Sequence, residues 1–146
     1  MKIIIDGATG RLGTTQHLKA LLAIRAEGGL ALKNGERLMP EPVLLGRNPD
    51  KLATLAAAHG GLSWSDDVPA ALADPTIDIY FDVAATGGRL ERALRAIAAG
   101  KHIYLEKQTV NTFFHYYRRI EIAHGRFTYS INRVYDLKSP FRLLAA

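Results

Sequence analysis

Cysteine is absent from this chain, which excludes a disulfide framework, thiolate metal ligands and a cysteine nucleophile. A cysteine-free chain suits a reducing compartment, and a cytoplasmic location is the expectation. No run of apolar residues approaches the roughly 20 needed to span a bilayer, so no membrane partner is expected. The start, Met1-Lys2-Ile3-Ile4-Ile5-Asp6, meets charge too soon to serve as a secretory signal. The five histidines (His17, His59, His102, His115 and His124) are scattered. None lies at metal-ligand spacing from another histidine or a carboxylate on one helix face, so no metal is expected. Ser63, Ser65, Ser130 and Ser139 lack the Gly-x-Ser-x-Gly elbow of a serine hydrolase.

What the chain does have is the composition of one ordinary globular domain: 146 residues, 48% hydrophobic and 23% charged. Nineteen basic residues against 14 acidic ones leave a net charge of +5. Such a balance suits nucleic acid or a small phosphate-bearing cofactor, and it also serves solubility alone.

Strand and helix patterns alternate from end to end. Lys2–Ile5 reads as a buried strand, and the loop Gly7–Gly13 leads into a helix from about Thr14 to Glu27. Leu18, Leu21 and Leu22 share one face of that helix, and Gly28-Gly29 stops it. Asn34-Gly35, inside Leu30–Met39, predicts a small hairpin inserted before the second core strand, Val43-Leu44-Leu45. Asn48 then caps a helix that begins at Pro49 and closes at Gly60.

Leu62–Ser65 reads as a short strand, Asp66–Ala73 as a short helix and Ile77–Ala84 as a strand of strong β-formers. Leu90, Ala93, Leu94, Ile97 and Ala98 mark the apolar face of the next helix, with Arg89, Glu91, Arg92 and Arg95 expected on its wet side. His102–Leu105 is another strand. Phe113, Tyr117, Ile120 and His124 follow at helical spacing, and Phe127–Ile131 makes a last strand. Strands separated by helices predict an α/β domain with a doubly wound, mostly parallel sheet. Residues 1–146 are expected to form one domain.

Gly7, Gly10 and Gly13 are spaced by three, directly after a strand and directly before a helix. That context gives the spacing its chemistry. A tight turn needs positive φ, close approach to a pyrophosphate forbids a Cβ, and the helix end points unpaired N–H groups at the anion. The loop residues Gly7, Thr9, Gly10, Arg11, Leu12 and Gly13 are therefore candidate cofactor ligands, and a nicotinamide dinucleotide is the expected partner. Gly13 is followed by Thr14-Thr15 with no lysine, which argues against a nucleoside triphosphatase loop.

In such folds the end of the second strand meets the adenosine ribose. Here it reads Leu45-Gly46-Arg47-Asn48, with no carboxylate to accept from a 2′-hydroxyl. Arg47 can pair with a 2′-phosphate instead, with Asn48 beside it, so NADP is favoured over NAD. Arg47 also reads as a solvated loop residue. Tyr116-Tyr117-Arg118-Arg119, with Arg126 and Arg133, invites a nucleic-acid reading. Phe113, Tyr117 and Ile120 share one helix face, however, which makes core packing the better use, and no nucleic acid is expected.

With these residues in place, the chain from Met1 to about Lys107 resembles the N-terminal half of the Gfo/Idh/MocA oxidoreductases. The resemblance rests on Gly7–Gly13 leading into Gln16-His17-Leu18, and on Gly46-Arg47-Asn48-Pro49-Asp50-Lys51-Leu52. It rests further on Ala84-Ala85-Thr86, and on Ala99-Gly100-Lys101-His102 leading to Glu106-Lys107. The resemblance implies a Rossmann fold with the cofactor lying over the strand ends. Ala84, Ala85 and Thr86 would line the pyrophosphate or nicotinamide ribose, and Glu106 would hold the ribose or amide. Lys107 would be the catalytic group, at the nicotinamide and the substrate. Hydride would pass to or from a small carbonyl or hydroxyl compound such as a sugar. By sequence alone, Glu106-Lys107 also reads as a surface ion pair at a strand end.

Two features depart from the family pattern. Gln108 stands where the family has proline after Glu-Lys. A cis bond before glutamine would cost about 2.5–4 kcal/mol, against about 0.5–1 before proline, so Lys107 is expected to be aimed differently. Family members also carry a second α/β domain with the substrate pocket, and residues 134–146 resemble the approach to it. Substrate-specific hydride transfer is therefore expected only when a second domain or subunit is supplied. The alternative is a non-catalytic dinucleotide-binding or regulatory module. Apolar stretches at Phe127–Ile131 and Phe141–Leu144 lead to an expectation of self-association as a homo-oligomer.

Overall fold

Ile3, Ile4 and Ile5 are all buried, which a strand achieves only when both faces of its sheet are covered. The computed structural model describes residues 1–85 and 87–106. The helical spacing from Phe113 to His124, the expected strand Phe127–Ile131 and the tail 134–146 lie outside the described residues. The chain opens with β1 (Lys2–Asp6) and a π-helical segment (Gly13–Leu18) that runs on into α1 (Lys19–Ala26). The insert follows as β2 (Leu30–Ala31) and β3 (Arg37–Leu38), and then β4 (Glu41–Leu45) and α2 (Pro49–Ala58). Next come β5 (Trp64–Ser65), α3 (Val68–Ala73), β6 (Ile79–Asp82), α4 (Arg89–Ala98) and β7 (His102–Leu105).

Five strands form one sheet in the order β5-β4-β1-β6-β7, and every pairing in it is parallel. The chain winds outward from β1 through β4 to β5, then crosses back to build β6 and β7 on the other side. Alternating side chains of each strand feed opposite faces. Ile5 and Leu44 pack with Leu18, Leu52 and Ala56 under α1 and α2. Ile4, Leu45, Tyr80 and Ile103 pack with Leu72, Ala93 and Ile97 under α3 and α4. This is the doubly wound sheet the sequence predicts.

The Asn-Gly signal is realised as an antiparallel pair, Leu30 opposite Leu38 and Ala31 opposite Arg37. Arg37 ties this insert to the end of α1, donating to the carbonyls of Glu27, Gly28 and Gly29 at 2.8, 2.6 and 2.7 Å. Those carbonyls belong to the turn that follows the last residue of α1. Asn48 caps α2 as expected, its Oδ1 accepting from the N–H of Lys51 at 2.9 Å. Asp67 caps α3 in the same way.

Several boundaries differ from the sequence reading: the strand expected over Leu62–Ser65 is confined to Trp64–Ser65, and the helix expected from Asp66 begins at Val68. The helix after the glycine loop begins with a π-helical stretch, and the strand expected over Ile77–Ala84 is regular only from Ile79 to Asp82. The larger difference is on α4. Glu91 and Arg95 are exposed and pair with each other at 2.6 Å, but Arg89 is only 4% exposed and Arg92 is half-buried. Both turn inward because acidic residues wait for them at the ends of β1 and β6.

Candidate functional site

The candidate site is built where four parallel strands end together. The glycine turn sits on the end of β4, with the N–H groups of Gly7 and Ala8 both donating to the Leu45 carbonyl, at 3.0 and 3.2 Å. Gly10 N–H then donates to the Gly7 carbonyl at 2.9 Å, closing the turn. Gly7 has φ +89°, and a Cβ there would lie 2.7 Å from the backbone of Ala84. A Cβ on Gly13 would lie 2.5 Å from the Gly7 carbonyl oxygen and 2.9 Å from Ala8. Both glycines are required by contact of backbone on backbone.

Helical bonding begins with Thr14 N–H donating to the Gly10 carbonyl at 2.9 Å. The N–H groups of Arg11, Leu12 and Gly13 precede that bond and belong to the first turn, which a helix leaves without intrahelical acceptors. Thr14 and Thr15 do not cover them, since their hydroxyls bond back to the carbonyls of Ala8 and Arg11, at 2.9 and 2.7 Å. Of these first-turn residues Arg11 is exposed and Leu12 half-buried, while Gly13 is buried. Beside the turn, a cleft of about 510 Å³ runs between the loop and α2, lined by Thr9, Thr14, Asp50, Lys51, Thr54, Leu55 and Ala58.

The sequence-predicted residues divide as follows. Gly7, Thr9, Gly10, Arg11, Leu12 and Gly13 form the turn, and Arg47 and Asn48 follow the end of β4 next to it. Arg47 is exposed, while Asn48 already uses Oδ1 on its helix. Ala84 lies against Gly7, and Ala85 follows it. Glu106 follows β7, its N–H donating to the Asp82 carbonyl at 2.9 Å. Its carboxylate lies 2.9 Å from His17 Nε2, and the His17 ring rests edge-on against Phe81 at 4.6 Å. Thr86, Lys107 and Gln108 lie outside the described residues.

Sequence reasoning missed a charged cluster beneath this edge. Asp6 and Asp82 close β1 and β6, and both are buried. Arg92 Nε lies 2.8 Å from Asp6, and Arg89 Nε lies 3.0 Å from Asp82. The Arg89–Asp82 contact is close but out of line for a hydrogen bond, so it is a charge contact. Tyr80 donates its hydroxyl to Asp6 at 2.6 Å. Burial pushes the Asp82 carboxyl above its ordinary value; the Arg89 charge pulls it back and Asp6 pushes it up again. Burial, with the charges of Asp82 and Asp6, likewise pushes the Tyr80 phenol up. A signal was present in the sequence: an acid ends each of two apolar strands, and Arg89 and Arg92 are three apart on one helix face.

Among the described residues, no group of three or more metal-ligating side chains could hold an ion. No helix among them is long and apolar enough to cross a membrane.

A parallel sheet of this order, with a glycine turn joining its first strand to a helix, defines the class as a Rossmann-type α/β domain. No family model matches the chain. D-xylose dehydrogenase of Paenarthrobacter nicotinovorans is 42% identical over 113 residues, 77% of this chain and 29% of that protein. A levoglucosan dehydrogenase solved with NADH and L-sorbose superposes with a TM-score of 0.60 at 25% identity, over 73% of this chain and 27% of that one. Biliverdin reductase from Synechocystis, solved with biliverdin and NADP+, matches in fold at 20% identity, with a TM-score of 0.62 over 88% of this chain and 36% of that one. These relatives and structure neighbours are Gfo/Idh/MocA-type oxidoreductases, and this chain is similar to their N-terminal part. It spans less than a third of the D-xylose dehydrogenase and levoglucosan dehydrogenase chains.

The two kinds of glycine constraint are separable by mutation. Gly13→Ala drives a methyl into the Gly7 carbonyl and is expected to cost about 3 kcal/mol, the upper end of overpacking. Gly35→Ala, with φ +87° and nothing within 4 Å, meets only backbone strain. Its expected cost is about 1 kcal/mol. Denaturant unfolding of the two variants checks the order, and equal costs would contradict the contact seen at Gly13.

Proposed function

We propose that this chain is the cofactor-binding part of an NAD(P)-dependent oxidoreductase. The observation that carries the reading is the glycine cradle, where added Cβ atoms would meet backbone at 2.7 and 2.5 Å beneath first-turn amides. A pyrophosphate is the group that fits it. It needs donors on a convex turn, no side chain in the way, and the positive end of a helix behind. The family relationship supports a nicotinamide as the reacting half. When bound, it supplies the hydride chemistry with a small carbonyl or hydroxyl compound such as a sugar.

Each residue then has a role. Gly7, Thr9, Gly10, Arg11, Leu12 and Gly13 hold the pyrophosphate, with Arg47 and Asn48 on the adenosine side. Ala84, Ala85, Thr86 and Glu106 line the nicotinamide side. Lys107 is the catalytic group, its ammonium placed to stabilise an oxyanion or hold a proton on the substrate oxygen. Substrate recognition we assign to a further domain, approached by residues 134–146, or to a second subunit.

NADP is favoured over NAD. No carboxylate ends β4, and the exposed Arg47 guanidinium has no partner among the described residues. Arg47→Ala is expected to weaken NADPH binding about ten-fold and leave NADH binding unchanged, as read by titration of dinucleotide fluorescence. Loss of both in equal measure, or of neither, contradicts the assignment.

Turnover separates an enzyme from a binding module. With the substrate-recognising domain or subunit supplied, Lys107→Ala is expected to lower turnover of a panel of sugars and aldehydes about a hundred-fold. Equal rates in parent and variant overturn the catalytic role. A chain that binds NADPH yet turns over nothing even with that domain or subunit supplied is the non-catalytic module.

A further inference from the structure

Arg89 does more than neutralise Asp82. Its Nη1 donates to the Glu106 carbonyl at 2.9 Å, and its Nη2 donates to the Ala84 carbonyl. These two carbonyls belong to different segments, one leaving β6 and the other leaving β7. Ala84 in turn lies against Gly7 of the glycine turn, and the Glu106 carboxylate meets His17. One guanidinium therefore joins the glycine turn, the β6 exit and the β7 exit from below. Arg92, one helical turn on, adds bonds to the carbonyls of Gly87 and Ala85, at 2.9 and 3.3 Å.

The position of this fork matters because of the sheet order. β4 lies on one side of β1, and β6 and β7 lie on the other. A dinucleotide whose pyrophosphate crosses the end of β1, with its adenosine toward β4, must carry its nicotinamide half past the ends of β6 and β7. Glu106 is fixed on both sides there, its N–H donating to the Asp82 carbonyl and its carbonyl accepting from Arg89. A buried ion pair is a poor source of stability, since apolar residues of similar size often serve as well. Its planar fork, with two parallel donors, is what apolar residues and lysine cannot reproduce.

We propose that Arg89 is a positioning residue for the nicotinamide half of the cofactor, holding the β6 and β7 exits at the separation that half requires. The inference rests on the cofactor reading above, and acts through Ala84 and Glu106 rather than by touching the cofactor.

The test compares a whole dinucleotide with its adenosine half, using the full chain and titrating NADPH (or NADH, whichever the parent binds more tightly) and ADP. Asp82→Asn combined with Arg89→Met removes the fork without stranding a buried carboxylate. That double variant is expected to bind the dinucleotide about ten-fold more weakly while its ADP affinity stays within about two-fold of the parent. Its bound nicotinamide emission should fall toward that of free dinucleotide, a change that mere loss of stability would not produce selectively. Arg89→Lys keeps the charge but not the fork and should lie between. Arg95→Ala, on the exposed face of the same helix, should match the parent.

Parent-like dinucleotide affinity and emission in the double variant overturn the role of Arg89 and leave the cofactor reading standing. Proportional loss of ADP binding also overturns it, because the effect is then on the whole fold. Parent-like behaviour of Arg89→Lys overturns the fork. A parent chain that binds neither ADP nor a dinucleotide overturns the cofactor reading, and this inference with it.

Discussion

The turn after β1 is packed backbone against backbone, and the rest of the site depends on that packing. Gly7 approaches the β6 exit so closely that a Cβ would overlap Ala84, and Gly13 approaches Gly7 in the same way. Because no side chains intervene, the helix can begin immediately after the strand and present its first-turn amides at the sheet edge. The same closeness brings the ends of β1, β4 and β6 together. A single methyl group at either glycine would separate elements that the site needs joined.

Much of this arrangement was legible in the sequence, because it follows from local rules. The isoleucine run of β1, the Asn48-Pro49 helix start and the Asn34-Gly35 hairpin each have a short-range cause, and each is where those causes put it. The glycine spacing was legible for the same reason. The charged layer was signalled only by the acids that end β1 and β6 and by the spacing of Arg89 and Arg92. Arg89 and Arg92 look like the wet side of an amphipathic helix, since a hydrophobic pattern assigns every arginine to solvent. Their inward turn depends on Asp6 and Asp82, residues far away in sequence that only the parallel pairing of β1 with β6 brings alongside. The π-helical start over Gly13–Leu18 has no composition signal either.

That hidden layer changes how the site is understood. Two arginines and two aspartates beneath the strand ends cost desolvation energy, and the Asp82 carboxyl is pushed up accordingly. What they supply is geometry. The arginine donors reach carbonyls that strand exits would otherwise leave to water, so loops at the sheet edge are held by the helix behind them. The site thus has a floor of arginine-held carbonyls under its β6 and β7 side and the first helical turn on its β1 side. The similarity to D-xylose dehydrogenase extends over 113 residues, about three quarters of the chain.

The central claim is that the amides opening the helix after β1 grip a diphosphate. Amide resonance mapping of the chain, titrated with NADPH and then with ADP, addresses it most directly. The account predicts saturable shifts centred on Gly10, Arg11, Leu12 and Gly13 with both ligands. Shifts that leave these four amides unmoved while the nucleotide binds elsewhere, or no saturable shift at all, would contradict it.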